Sequence, residues 1–193
     1  MKLFVKIILV SLVLGIFLVF KFDFIGPSAI MPWQEPEPDY IPLLTGENLL
    51  GEEHIFPRDF KKPLTLLVIG FKREHQTPIN TWISTYEKGD LDKEKLDFFE
   101  LPIIYEVGML KRLFINNGMK LGIPDPEQLK RTVTLYMDRQ NIFDALKVDV
   151  ESIYTLLVQQ DGKIIWRSKG MVSAEKIEAL QSLIKSYQPL SAP

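Results

Sequence analysis

The 193-residue sequence contains no cysteine and only two histidines, His54 and His75. Without cysteine the chain has no disulfide, no thiolate nucleophile, no Cys-ligated zinc site and no dithiol exchange. An excess of one charge is also missing, because 23 Lys and Arg face 25 Asp and Glu, for a formal net charge of -2. A nearly neutral chain does not generally attract phosphates, so we expect no nucleic-acid partner.

The composition nevertheless supplies enough apolar material for a folded domain. Hydrophobic residues make up 46% of the chain and charged residues 25%, which is typical of globular proteins and excludes wholesale disorder. A single core usually takes about 100–150 residues. The length therefore predicts one domain with additional segments.

Residues 1–25 form a predicted membrane-directed segment. Lys2 and Lys6 precede an uncharged apolar run over residues 7–20, and residues 3–20 approach the roughly 20 residues that a bilayer needs if Lys6 snorkels. The bulky residues that follow do not match a signal-peptidase site, so we favour an uncleaved anchor over a cleaved signal. A buried core helix is the third interpretation. The basic residues before the run predict an extracytoplasmic, periplasmic location for the rest of the chain.

Residues 26–63 hold seven of the 13 prolines. Proline at this density disfavours helices and central strands and favours extended chain. We predict a spacer there, whose later part, from Leu43 to Phe60, is a lead-in that packs on the domain. A proline-rich recognition motif is the alternative interpretation. The folded domain is then predicted over residues 64–187, with residues 188–193 as a tail.

The domain sequence alternates between strand and helix patterns. Residues 64–71 are almost continuously apolar and predict a strand buried on both faces. Asp161-Gly162 joins two β-rich runs and predicts a hairpin. The other predicted strands cover residues 98–105 and 131–137, the hairpin strands cover 152–160 and 163–167, and helices are predicted at 77–88, 107–117, 141–147 and from Ser173 onward.

Two of the predicted helices have a clear apolar face. The helix from Thr77, with Pro78 in its first turn, is expected to bury Ile79, Trp82, Ile83 and Tyr86. The helix that begins at Val107 is expected to bury Leu110, Leu113 and Phe114 and to end at Asn117-Gly118.

The order of elements predicts an α/β fold with a thioredoxin-like mixed sheet flanked by helices. Three stretches carry a closer resemblance: Leu101–Tyr105 before a helix, Ile123-Pro124 with Arg131-Thr132 before a strand, and the hairpin from Tyr154 to Gly170 with the acidic helix after it. In these stretches the chain resembles a bacterial-type relative of the mitochondrial ATP synthase assembly chaperones. The resemblance implies a thioredoxin-like domain that assists assembly of a membrane protein complex.

Thioredoxin-like proteins that catalyse redox reactions carry Cys-x-x-Cys between the first strand and helix, and a cis-proline before the penultimate strand. Here residues 71–78 and Ile153 occupy those places. We therefore predict a protein-binding module that is not an enzyme and has no cofactor or metal. The predicted partner-binding residues are Arg73, His75, Ile153 and Trp166, which would capture a client segment in a groove or at a sheet edge.

Other interpretations of these residues stay open. His75 would serve as a general base or ligand if a carboxylate lay beside it, and the loop is otherwise a solvated polar segment. A metal site made of His54, His75 and Glu53 or Glu74 would require residues distant in sequence to meet. Trp166 is a core residue in the simpler interpretation. A passive structural module, without any concave site, is the third class of function.

The helix ending at Gly118 also carries a set of methionines and basic residues: Met109, Lys111, Arg112, Met119 and Lys120. They are typical either of a patch that binds lipid or protein or of core methionines beside a solvated basic edge. We favour the second interpretation.

Overall fold

The computed structural model describes residues 39–188. Its strands are β1 (Leu44–Asn48), β2 (Glu53–Phe56), β3 (Leu64–Gly70), β4 (Leu96–Ile104), β5 (Val133–Tyr136), β6 (Tyr154–Gln159) and β7 (Ile164–Lys169). Its helices are α1 (Gln76–Lys88), α2 (Met109–Gly122), α3 (Pro126–Arg131), α4 (Arg139–Leu146) and α5 (Ala174–Ser186), and a 3₁₀ turn (Arg73–His75) precedes α1.

The strands form one mixed sheet in the order β2-β1-β5-β4-β3-β6-β7. Strands β3, β4 and β5 are parallel, and the other neighbouring pairs are antiparallel. Parallel strands need a crossover connection, which α1 supplies between β3 and β4 and α2 with α3 supplies between β4 and β5. The predicted mixed sheet flanked by helices is confirmed.

Strand β3 is buried along its whole length because apolar side chains cover both faces of the sheet there. Leu64, Leu66 and Val68 pack with α1 and α5 on one face, while Leu67 and Ile69 pack with α4 on the other. This alternation follows from the period of two in a strand. The carboxyl end of β3 leads through the 3₁₀ turn into the start of α1.

Helix α1 buries the face that its sequence predicts. Ile79, Trp82, Ile83 and Tyr86 are all buried, and the indole N–H of Trp82 donates a hydrogen bond to the Gly170 carbonyl at 3.0 Å. The helix begins at Gln76 with His75 as its N-cap residue, one residue before the predicted Thr77.

The predicted lead-in is a β-hairpin within the sheet. Strands β1 and β2 extend the sheet beyond β5, with Glu47 opposite Thr134. Gly46 allows this pairing because a Cβ there would lie 2.7 Å from the Thr134 carbonyl oxygen and 2.6 Å from Leu135 Cδ2. The sheet therefore begins at Leu44 and not at Leu64.

The prediction for α2 is wrong in its orientation and its end. Leu110, Leu113 and Phe114 are 83%, 53% and 82% exposed, no α2 residue is buried, and the helix continues past Gly118 to Gly122. The apolar side chains of β4 and β5 already pack in the two core clusters. Periodicity alone does not show which way an apolar helix face points. Met109 is exposed as well, so it is not a core methionine.

Within residues 39–188, no helix has both the length and the apolar content needed to cross a membrane. The predicted anchor or signal at residues 1–25 and the first part of the spacer lie outside the described residues. The predicted tail also lies outside them, except for Gln188.

Candidate functional site

An open cleft lies where the β3–α1 loop meets the segment that precedes β6. It has a volume of about 460 Å³ and is lined by Lys72, Glu74, His75, Pro78, Glu151, Ser152 and Ile153. These two segments meet because β3 and β6 are neighbouring antiparallel strands, so that the end of one lies beside the start of the other. The cleft contains polar and charged groups on its rim and an apolar isoleucine.

His75 is the titratable ring in the cleft, and it is only 6% exposed. The backbone N–H of Phe71 donates a hydrogen bond to His75 Nδ1 at 3.1 Å. Burial, followed by the positive charge of Lys72, lowers the pKa of His75. The ring is therefore neutral near pH 7, and because Nδ1 accepts a bond, its proton is on Nε2. Such a ring serves as a hydrogen-bond donor.

An ion pair joins the two segments that border the cleft. Lys72 Nζ lies 3.0 Å from both carboxylate oxygens of Glu151. Both side chains are exposed, so the pair contributes little to the free energy of unfolding. It supplies one positive and one negative group at the cleft entrance.

Arg139 holds the ends of two central strands beside this site. Its Nη2 donates to the Phe71 carbonyl at 2.6 Å and its Nε donates to the Ile103 carbonyl at 3.0 Å. The guanidinium also lies 4.2 Å from the centre of the Tyr105 ring. Sequence analysis missed Arg139, and no local signal identifies it, because its partner Phe71 is 68 positions away.

A buried carboxyl group, Glu100 on β4, is the second residue that sequence analysis missed. Burial raises its pKa, partly offset by side-chain hydrogen bonds, of which the one involving Thr132 is the largest. The Thr132 hydroxyl lies within hydrogen-bond distance of two acceptors, Glu100 Oε2 at 3.3 Å and the Gln128 carbonyl oxygen at 3.0 Å.

The structure brings two of the four predicted partner-binding residues together. His75 and Ile153 both line the cleft, although Ile153 is only 1% exposed and packs in the core on the α1 side. Strand β6 is paired on both sides, by β3 and β7, so within residues 39–188 the strand that follows Ile153 has no free edge. Groove capture is left as the predicted mode of binding at this site.

The other two predicted residues lie away from the cleft lining. Arg73 is exposed on the 3₁₀ turn. Trp166, on β7, packs edge-on against Trp82 with ring centres 6.1 Å apart, as its core interpretation implies.

The structure keeps the two histidines on separate elements. His54 lies on β2 and stacks on Phe56 with ring centres 5.7 Å apart, whereas His75 lies in the cleft. Among residues 39–188, no three His, Asp or Glu side chains form a group able to hold a metal ion.

Several solved structures share this architecture. A putative electron transfer protein from Aquifex aeolicus has a TM-score of 0.53 at 15% identity, covering 76% of this chain and 92% of its own. The exposed lipoprotein thioredoxin of Streptococcus pneumoniae has a TM-score of 0.52 at 12% identity, covering 75% and 99%. BsSco, a member of the Sco family of cytochrome c oxidase assembly proteins, has a TM-score of 0.50 at 12% identity, covering 80% and 98%.

At these identities the likeness concerns the fold and not the activity. No protein-family profile and no curated protein matches the chain. The shared architecture extends over nearly the whole length of each of these structures. The described part of this chain therefore has a thioredoxin-like fold, and the chain contains no cysteine.

Proposed function

We propose that this chain is a membrane-tethered, non-redox thioredoxin-like module that binds a client protein and assists assembly of a membrane protein complex such as ATP synthase. The observation that carries the proposal is the cleft between the β3–α1 loop and Ile153. Thioredoxin-like enzymes work at this place through thiolates, and this chain has no thiol. A formed cleft without the reacting group favours binding over bond-making.

The chemistry of the cleft suits an extended peptide segment. Neutral His75 offers a hydrogen-bond donor, which matches a peptide carbonyl. Lys72 and Glu151 add one charge of each sign at the entrance, and Ile153 and Pro78 add apolar contact. Few, well-placed polar groups beside apolar surface are typical of binding sites for small segments.

The assembly role rests on analogy. The resemblance to ATP synthase assembly chaperones supplies the class of client, and BsSco shows that a protein of this fold belongs to a family of cytochrome c oxidase assembly proteins. The tether rests on the apolar run within residues 1–25.

A second candidate is an enzyme or ligand-binding protein that uses His75. Its support is a buried imidazole with a lowered pKa in a cleft. The bond from the Phe71 N–H already occupies Nδ1, the only lone pair of the neutral ring. His75 is therefore better placed to donate a proton in a hydrogen bond to an anionic ligand than to abstract one.

Photocrosslinking tests the binding proposal at residue resolution. We expect p-benzoylphenylalanine at Glu74, which lines the cleft, to give a discrete adduct with one membrane-complex subunit in native membranes. The same group at Glu178, which is exposed on α5, should give none. Identification of the adduct by mass spectrometry names the client.

A filled cleft provides the matched comparison. Ser152→Trp places a large ring in the cleft and should abolish the Glu74 adduct, whereas Ser186→Trp, at the end of α5, should leave it unchanged. No discrete adduct at Glu74, or one that survives Ser152→Trp, would show that the cleft is not the binding site.

A further inference from the structure

Helix α2 carries its large apolar side chains on the side that faces away from the domain. At about 100° per residue, one side of the helix collects Met109, Leu110, Leu113, Phe114 and Leu121, all of them exposed. We call these five residues the outer face. Leu121 is 90% exposed. Isolated exposed apolar residues are ordinary, but five large ones on one side of a single helix indicate an interaction surface.

The inner side of α2 has two half-buried apolar residues, Ile115 and Met119, and contacts the domain through polar groups as well. The Tyr136 hydroxyl donates to Asn116 Oδ1 at 2.8 Å, and the Arg112 guanidinium lies 4.8 Å from the centre of the Tyr136 ring. A helix on the surface of a water-soluble domain normally has the opposite arrangement, with its apolar side inward. The helix is therefore fastened to the domain in a way that leaves its apolar side free.

Basic residues accompany the outer face. At about 100° per residue, Lys120 lies between Met109 and Leu113, and Lys111 lies beyond Phe114. The helix sequence MLKRLFINNGMKLG contains no acidic residue. The nearest acidic groups along the chain are already paired: Glu106 with Arg112, and Asp125 with the first turn of α3 and, at 3.9 Å, with Arg131. A helix with apolar residues and lysines on its exposed side is typical of helices that lie in a membrane interface.

We infer that the outer face of α2 lies on an anionic lipid bilayer. Its apolar side chains enter the boundary between headgroups and acyl chains, and Lys111 and Lys120 contact lipid phosphates. The charge of the helix favours an anionic surface. The sequence also predicts a membrane segment at residues 1–25. This surface is separate from the cleft, and the inference goes beyond client binding.

Because the chain contains no cysteine, one introduced cysteine is the single site for a thiol-reactive label on the full chain. A single Phe114→Cys substitution, labelled with an environment-sensitive fluorophore, reports on the outer face, and a label at Glu178→Cys on α5 is the aqueous reference. The chain is placed in nanodiscs of phosphatidylcholine alone or with added phosphatidylglycerol. We expect a blue shift and a several-fold loss of acrylamide quenching for the Phe114→Cys label, larger in the anionic discs, and no change for the reference.

Charge reversal tests the lysines. Lys111→Glu with Lys120→Glu should return the Phe114→Cys label to its aqueous emission, while Lys61→Glu with Lys163→Glu, an equal charge change at exposed positions elsewhere, should not. A label that stays aqueous in both kinds of disc overturns the inference. A blue shift that is the same in both kinds of disc and persists after lysine reversal also overturns the inference. It would mean that a second copy or residues 1–38 cover the outer face.

Discussion

His75 combines three properties that a single side chain rarely has at a surface cleft: it is buried, neutral and fixed by a backbone hydrogen bond. Its lowered pKa means that the unfolded chain takes up a proton at a higher pH than the folded chain does. The contribution of His75 to stability is therefore present at high pH and is lost as the pH falls below 6.5, the ordinary pKa of a histidine.

Replacing His75 with Asn should remove this loss. The Asn side-chain oxygen can accept the bond from the Phe71 N–H, and it does not titrate. We expect the difference in free energy of unfolding, His75→Asn minus wild type, to become more positive as the pH falls from about 8 to about 5. The change is at most about 1.4 kcal/mol per pH unit. Urea unfolding across this pH range measures it.

The comparison must be between variant and wild type because Glu100 acts in the opposite direction. Its raised pKa makes the folded chain hold a proton that the unfolded chain loses, so the contribution of Glu100 to stability falls as the pH rises from about 4.5 through the higher pKa of the folded chain. Thr77→Ser, which changes the same turn without removing a titrating group, is the control and should show no pH-dependent difference. A pH-independent difference for His75→Asn would contradict the assignment of a buried neutral ring.

At the scale of elements, Gly46 determines how β1 joins the sheet. An added Cβ would meet the Thr134 carbonyl oxygen and the side chains of Leu135 and Val133, all within 2.9 Å. A backbone oxygen cannot move aside as a flexible side-chain end can. We expect Gly46→Ala to lower the free energy of unfolding by about 1–3 kcal/mol, through separation of β1 from β5. Urea unfolding at neutral pH measures the change.

Gly118 on α2 provides the control for the Gly46→Ala substitution. A Cβ there meets nothing within 4 Å, and the residue lies inside a helix. Gly118→Ala should therefore leave stability unchanged or raise it by up to about 1 kcal/mol. If Gly46→Ala proves as harmless as Gly118→Ala, β1 is not closely packed on β5.

The elements that could be predicted from sequence have local signals. The apolar run of β3, the periodicity of α1 and Asp161-Gly162 between β6 and β7 each specify their own structure. Strands β1 and β2 have only five and four residues, and their pairing with β5 joins segments far apart in the chain. Their position in the sheet therefore could not be predicted locally.

The same distinction explains the candidate site. His75 and Ile153 could be placed near each other because the topology of the sheet brings the start of β6 beside the end of β3. Arg139 and Glu100 could not be identified, since the first acts through contacts across the fold and the second is unusual only because it is buried. The outward orientation of α2 depends on which core surface is already covered.

For the molecule as a whole, the hairpin β1–β2 makes residues before Leu64 part of the folding unit. Leu44 and Phe56 are fully buried in the core on the α4 side, and Phe60 joins them. We expect a chain that begins at Leu64 to lack a cooperative urea transition, because losing several large core side chains at about 2–5 kcal/mol each exceeds the usual stability of a domain.

A chain that begins at Asp39 is the comparison, since it keeps the hairpin and all described core residues. It should unfold in a single transition, monitored by tryptophan fluorescence from Trp82 and Trp166. A similar urea midpoint for the two chains would show that the hairpin is an appendage and not a part of the core.

The two hydrogen bonds of Arg139 have a consequence for the speed and selectivity of binding. Because they join the carbonyls of Phe71 and Ile103, the strand ends beside the cleft are fixed before any occupant arrives. A preorganised site loses little conformational entropy on binding, and it cannot reshape itself around a poorly fitting segment. The client segments that we propose should accordingly be discriminated by their dissociation rates, as in rigid docking, and not by a slow closing step.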